Sequence, residues 1–406
     1  MAVTWTNWVG NQSFEAEEIV KPADEAGAVA AVKRAAVAGQ HVRVPATGHS
    51  FTPIVQTDGM LLDLEQLKGI RSVDLAKQRA VVGAGTPISE LGEPLWDRGL
   101  ALRNQGDIDS QRIAGAIGTG THGSGTQFGS FSASMTACRL ITALGDVIEV
   151  SESTPELLAA AQVSVGMLGV MTDVELQVKE KYRLQENFGY ESFEDVMSTF
   201  YDRVARHRNF GLFWFPSEES AALYNIELPG GASAFDMCNV KVFEEVTGEV
   251  SDSDVINHRV DRSYRIYPMV YDPNFHELEY FVPLKKGVDA IRELREYMLK
   301  SLPISIFPME VRTVGADNAY LSSQYQTDTM VISVSGMPGT EYWDYLRDVD
   351  ALLGKYDARV HWGKLHFLTK DQLLARYPMA EEFIKIRREL DPTGMFLNDH
   401  LRQLFA

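Results

Sequence analysis

A histidine at the tip of a small-residue turn is the first group in this chain that could do chemistry. In Arg43-Val44-Pro45-Ala46-Thr47-Gly48-His49-Ser50 an extended run gives way to that turn. Pro45 forbids a helix through it, and Gly48 permits the positive φ that tight turns need. Successive backbone N–H groups in such a turn form an anion-binding nest. His49 is one of nine histidines, and taken alone a turn histidine bonded to the backbone is the plainer account. The rest of the chain argues otherwise.

Two further stretches place charge where a strand or an apolar run would hold it. In Phe307-Pro308-Met309-Glu310-Val311-Arg312-Thr313, alternation sets Glu310 and Arg312 on one face of a strand and Met309 and Val311 on the other. A guanidinium can stabilise a developing alkoxide while a carboxylate accepts from a neighbouring hydroxyl. The pair therefore suits a hydroxylated substrate; a partly exposed ion pair of little worth is the alternative. In Val360-His361-Trp362-Gly363-Lys364 a lysine sits in a run too apolar for a casual surface charge. It could face a negative group on a cofactor, or snorkel beside the tryptophan.

Glycine clusters between Gly83 and Gly129. Gly83-Ala-Gly-Thr-Pro-Ile lacks the third glycine of a dinucleotide fingerprint, because position 88 is Ile. Gly118-Thr-Gly120-Thr-His-Gly123-Ser-Gly125 has the spacing without the context. Thr126-Gln-Phe-Gly-Ser-Phe-Ser after it is a poor helix, and no acidic residue follows in a βαβ frame. Nicotinamide binding is rejected on those grounds. The five glycines between Gly115 and Gly125 read as a loop whose backbone N–H groups approach a pyrophosphate closely.

The elements that must position these groups follow from pattern. A length of 406 residues implies two domains. Residues 22 to 38 read as a helix stopped by Gly39, and Gly59 to Leu64 as a strand. Val73 to Val82 and Thr136 to Val150 read as hairpins, the second turning at Gly145-Asp146. Thr154 to Gln162 reads as a short hydroxyl-capped helix and Thr172 to Lys179 as a strand. After Tyr182 the composition changes to aromatic strands and an amphipathic helix at Lys286 to Ser301, a second domain of α+β type. A final helix over Lys370 to Leu390 ends at Asp391-Pro392-Thr393-Gly394.

Composition narrows the partners. A net charge of −18 argues against nucleic acid. Cys138 and Cys238 are the only cysteines, which excludes a disulfide scaffold and a CxxC metal site; no metal is expected. The start shows no basic region followed by an apolar core. Apolar runs such as Phe213-Trp214-Phe215 are far short of the roughly 20 residues that cross a bilayer. A soluble, cytoplasmic protein without a membrane partner is the expectation.

Five motifs, in order, carry a resemblance: Thr47-Gly48-His49-Ser50, Gly118 to Gly125, Glu310-Val-Arg312, His361-Trp-Gly-Lys364 and Leu390-Asp-Pro-Thr-Gly-Met-Phe-Leu-Asn398. From Trp8 onward the chain resembles the aldonolactone oxidase and alditol oxidase branch of the vanillyl-alcohol-oxidase flavoprotein family. The resemblance implies a two-domain α+β fold: an FAD-binding domain over 1–180, a substrate or cap domain over 181–365, and a return of 366–406 to the FAD-binding domain. It implies FAD bonded covalently through His49 to the flavin 8α-methyl carbon. Arg43, Pro45, Ala46, Thr47, Gly48 and Ser50, with Gly115, Gly118, Thr119, Thr121, His122 and Gly123, fall in its pyrophosphate-wrapping loops, and Val170 falls on its adenine side. Glu310 and Arg312 match the pair that orients substrate hydroxyls, and Lys364 the cation near flavin N1 and C2. That cation has a purpose, since hydride arriving at N5 leaves negative charge there.

The substrate implied is a sugar-derived polyol, foremost an aldono-1,4-lactone of the L-gulono type oxidised at C2, with an alditol such as xylitol or sorbitol as the alternative. Asp107 departs from both branches: alditol oxidases carry a serine there and lactone oxidases a small residue. Gly106 matches the position against flavin C4a, where dehydrogenases of the family carry alanine. Glycine is expected to leave a methyl-sized space for dioxygen, so that hydrogen peroxide is the second product; a dehydrogenase with another acceptor is the alternative.

Overall fold

Alternation of apolar and polar residues builds the largest element of the computed structural model, which describes residues 2–226, 228–248, 251–269 and 274–406. It is an eight-stranded antiparallel sheet. Its order is Val260–Arg262, Arg183–Ser192, Met237–Val246, Asn209–Trp214, Met309–Val314, Thr329–Gly336, His276–Pro283 and Arg359–Val360. Successive side chains point to opposite faces, so the sheet has two chemistries. Leu278, Tyr280, Ile332, Val334, Met309 and Val311 are buried on one face. Helices Phe193–Ser198, Phe200–Arg206, Gly287–Lys300 and Trp343–Gly354 cover them. The other face carries Glu277, Glu279, Ser333, Glu310 and Arg312. Glu310 pairs across from Ser333, and Ser333 from Glu279, so three polar residues form one row across three strands.

The N-terminal part builds three smaller sheets, one of them the antiparallel pair Val3–Thr6 and Ser13–Ala16. Glu18–Val20, Met60–Leu62 and Val42–Arg43 are parallel, and helix Glu25–Ala38 lays Ala28, Ala31, Val32 and Ala35 on them. Asp24 caps that helix through the Gly27 N–H, and Gly39 ends it with φ 65°. The third sheet runs Val147–Ser151, Met135–Ile141, Val170–Glu180, Arg79–Gly83, Ile70–Asp74, with Leu100–Leu102 on the end of Val170–Glu180. Both expected hairpins are there, and Gly145 turns one of them with φ 78°. The C-terminal segment comes back to these sheets. The Val42 N–H donates to the Met395 carbonyl at 3.0 Å and the Ala143 N–H to that of Leu390 at 3.1 Å. Met395 and Phe396 join the apolar cluster of Ala28, Val42 and Met60.

Three expectations are corrected. The single helix over 370–390 is two, Lys370–Arg376 and Ala380–Leu390, because Pro378 between them lacks an N–H and cannot continue the first; a further helix follows at Asp399–Phe405. The stretch from Gly115 is not a loop throughout. Ile113–Thr119 is helical, and Gly120, with φ 76°, ends it. Thr154 precedes helix Pro155–Gln162 without capping it; its hydroxyl donates to the Ser151 carbonyl instead, at 3.1 Å.

Candidate active site

His49 stands at the junction of two cavities and lines both; Ser50, Gln111 and Thr119 are shared with it. Gly48 takes φ 73°, the left-handed turn expected of it. The imidazole stacks on Trp8 with ring centroids 5.0 Å apart and planes 12° from parallel. Nε2 lies 3.2 Å from Ser110 Oγ. Nδ1 is buried and without a hydrogen-bond partner among the described residues. Burial, helped by the charge of Lys364, pushes the ring down to about 4, so it is neutral at neutral pH.

The second cavity is walled by Pro45, Ala46, Thr47 and Gly48 on one side and by Gly115, Gly118 and Thr119 on the other. Gly115 is there because the walls touch: a Cβ on it would lie 2.6 Å from that of Ala46. Three residues expected in this cradle have other surroundings. Arg43 borders it, but its guanidinium is spent on backbone carbonyls, those of Ile54 at 2.8 Å, Val165 at 2.7 Å and Gly166 at 3.1 Å, and on that of Phe396. It clamps the returning C-terminal segment to the turn. The Val170 side chain is in the apolar core, while Gly169 and Met171 border the cavity. Gly123 borders neither cavity; it backs onto the Gln105 carbonyl, 2.2 Å from where its Cβ would be.

The first cavity collects Gly106, Asp107, Thr121, His122, Glu310, Arg312 and Lys364. His122, Thr121, Gly106 and Asp107 thus lie beside the charged pair rather than in the cradle. Arg312 Nη2 donates to Glu279 Oε1 at 2.6 Å, whereas Glu310 Oε2 is 3.6 Å away. Burial works against the Arg312 charge, and Glu310 and Glu279 outweigh it, so the guanidinium is held above its usual range. Burial pushes the Glu310 carboxyl up to about 7, because the pull of Arg312 is opposed by Asp107. Lys364 pairs with Glu277. Burial lowers it, and Glu277 and Glu279 more than restore it.

Tertiary hydrogen bonds bring these segments together. The Phe51 N–H donates to the Gly363 carbonyl at 2.7 Å and Thr52 Oγ1 to that of Trp362 at 2.9 Å, which fastens the His49 turn to the Lys364 segment. The His361 and Leu365 N–H groups donate to Glu279 and Glu277 carbonyls, which sets Lys364 against Glu277. The Gly125 N–H donates to the Thr313 carbonyl at 2.7 Å, which carries His122 to the sheet.

Two histidines and Arg312 converge on Glu279. His122 presents Nδ1 to the Gly123 carbonyl at 2.8 Å and Nε2 to Glu279 at 3.4 Å. Both nitrogens thus face oxygens of neighbouring groups. His361 Nδ1 accepts from the Gly363 N–H at 3.0 Å, so Nε2 carries its proton, 4.0 Å from Glu279. Burial holds His361 down to about 3. Burial raises Glu279, and His122, Arg312 and His361 reverse that and hold it well below the carboxylate range. The His122, Glu279 and His361 ligand atoms lie within 4.8 Å of one another, yet a metal would need the Nε2 lone pair that His361 lacks. The two histidines and Arg312 surround the Glu279 carboxylate.

Gly106 requires a correction. A Cβ on it would stand 2.7 Å from the His122 carbonyl oxygen, so the methyl-sized space expected there is closed by backbone. Sequence reading also missed Glu277 and Glu279, although His276-Glu277-Leu278-Glu279-Tyr280-Phe281 alternates as clearly as the Glu310 strand. Ser110 and Gln111 had no signal of their own.

Residues 232–404 match the family model described as D-arabinono-1,4-lactone oxidase, and residues 16–151 the one described as FAD binding domain. The chain is similar to an L-gulono-1,4-lactone dehydrogenase of Mycobacterium tuberculosis, with 34% identity over 100% of both chains. It is also similar to an alditol oxidase of a Streptomyces species, with 28% identity over 100% of this chain and 99% of that one. Its fold is that of cholesterol oxidase from Brevibacterium sterolicum, with TM-score 0.84, 14% identity, and 100% and 97% of the two chains covered.

Proposed function

Because the chain belongs to the aldonolactone oxidase and alditol oxidase branch of the vanillyl-alcohol-oxidase-type FAD flavoproteins, we propose that it oxidises a secondary or primary alcohol of a sugar-derived polyol, foremost the C2 hydroxyl of an aldono-1,4-lactone. The observation that carries this reading is the pairing of a cradle with a charged cavity at His49. FAD fits the donor set: His49 Nδ1, Gln111 Oε1 and Thr121 Oγ1 are buried and without protein partners among the described residues, and the turn and helix walls leave a slot beside them. Pro45 to Ser50 and Gly115 to Thr119 would hold it, with His49 Nδ1 as the point of covalent attachment. FAD, when bound, supplies the two-electron acceptor for hydride. We assign residues 1–180 with 366–406 to holding it and 181–365 to covering the substrate.

The chain's own residues do the rest. Arg312, fixed by Glu279, donates to the substrate oxygen as negative charge develops. Glu310, the carboxylate left weakly compensated, accepts the proton of a substrate hydroxyl, and a group that titrates near neutrality is suited to that. Lys364 keeps a positive charge beside His49. Trp8, Phe213 and Phe275 border the same cavity and reduce water access.

Dioxygen as second substrate is the reading that the oxidase relatives favour. A different acceptor is favoured by the identity to a dehydrogenase, and the closed space at Gly106 no longer argues against it. Adding aldono-1,4-lactones and alditols one at a time without air should bleach the flavin for one class; bleaching by none would refute an enzyme of this branch. Admitting air then measures reoxidation, and flavin that stays reduced for minutes makes the protein a dehydrogenase.

A further inference from the structure

We propose that Ser110 is a positioning residue for attachment of the cofactor to His49; the inference rests on the reading that the bond to FAD is covalent. An imidazole attacks through a nitrogen bearing a lone pair, and its other nitrogen must then carry the proton. In this site Nδ1 is the nitrogen without a protein partner among the described residues, and Ser110 Oγ, 3.2 Å from Nε2, is the group placed to receive that proton's hydrogen bond.

The surroundings make this acceptor matter. The ring is fixed by its stack on Trp8. The turn is fixed by Asn7 Nδ2, which donates to the Ser50 carbonyl at 2.9 Å, and by the bond of Phe51 to Gly363. Ser110 is fixed from both sides, since the Ser89 N–H donates to the Asp109 carbonyl at 2.8 Å and the Ile88 N–H to that of Gln111 at 2.9 Å. As Nδ1 forms its bond the ring becomes cationic, and burial and the nearby charge of Lys364 both oppose that. A hydroxyl on Nε2–H offsets part of the opposition. Because Ser110 is exposed, it also opens a route by which the proton reaches solvent.

The step balances. The bond formed joins Nδ1 to the 8α carbon, which gives up one methyl proton; the imidazole loses its Nε2 proton. The two electrons stay on the cofactor and pass to an external oxidant, dioxygen or an artificial dye.

The test uses protein produced under flavin limitation and then given FAD, with samples precipitated in acid at intervals. The covalent fraction is the flavin left in the pellet. Ser110→Ala should lower the rate of attachment at least about tenfold, as expected for one hydrogen bond to a developing charge, while the affinity for FAD before attachment, read by fluorescence quenching, stays within about twofold. Ser110→Thr should restore the rate. An unmutated protein that releases all of its flavin overturns covalent attachment and this proposal with it. An unmutated protein that retains flavin, beside a Ser110→Ala variant that attaches it as fast, overturns this proposal alone. Equal losses of rate and affinity in Ser110→Ala also overturn it, because they mark a structural role.

Discussion

Arg312 hydrogen-bonds to Glu279, a residue 33 positions away in sequence, at 2.6 Å, whereas Glu310, two positions along its own strand, stands 3.6 Å away. The register explains it. Ser333 lies between Glu310 and Glu279 in one row across three strands, and its hydroxyl donates to Glu279 at 3.1 Å, so Glu279 gathers the donors while Glu310 stays open to substrate. Removing a buried partner leaves unpaired charge, here on Arg312. Glu279→Ala should therefore cost roughly 3–5 kcal/mol of stability. A urea midpoint equal to that of the unmutated protein would remove Glu279 from this role.

The guanidinium itself should matter to chemistry. Arg312→Ala is expected to lower the anaerobic rate of flavin reduction by about a hundredfold or more, the usual effect of losing one preorganised oxyanion donor. Arg312→Lys should recover only part of it, since one ammonium cannot serve both Glu279 and the substrate with a planar fork. Equal reduction rates in all three proteins would contradict the assignment.

For His49, the neutral ring and unpartnered Nδ1 predict that acid-precipitated protein keeps its flavin and that His49→Ala releases it while still folding. Absorbance of pellet and supernatant near the flavin maximum decides this directly.

Glu310 predicts a slope of stability with pH. Its folded carboxyl keeps a proton up to about pH 7, against 4.5 for the ordinary group. Between those values the folded chain binds the extra proton, so this group's contribution to stability is greatest below about pH 4.5 and declines as pH rises to 7. Glu310→Gln cannot titrate and lacks the decline. The difference in unfolding free energy between the two proteins should change by up to about 3 kcal/mol across that window. Parallel denaturation curves at pH 5 and pH 8 would show the carboxyl to be unperturbed.

Gly106→Ala should disturb the His122 carbonyl, 2.7 Å from the new methyl, and with it the His122 to Glu279 contact. Reduction by substrate and reoxidation by air are expected to slow together. If reoxidation alone slowed by orders of magnitude, the glycine would be an oxygen gate despite its close packing.

Local pattern determined much of this protein. Alternation alone put Glu310 and Arg312 on one face, Gly39 and Gly48 fixed a helix end and a left-handed turn, and five ordered motifs identified the flavoprotein branch. These are properties of neighbouring residues, and backbone sterics act over a few positions. Tertiary structure decided what those residues meet. Arg43 reads as a cradle ligand until the C-terminal segment offers it the Phe396 carbonyl; Gly106 reads as open space until the His122 backbone closes it. Glu279 becomes the partner of Arg312 only through the pairing of two strands with a third between them. Hydrogen bonds and charges act between groups in space, and no spacing along the chain specifies which distant carboxylate a buried guanidinium will find.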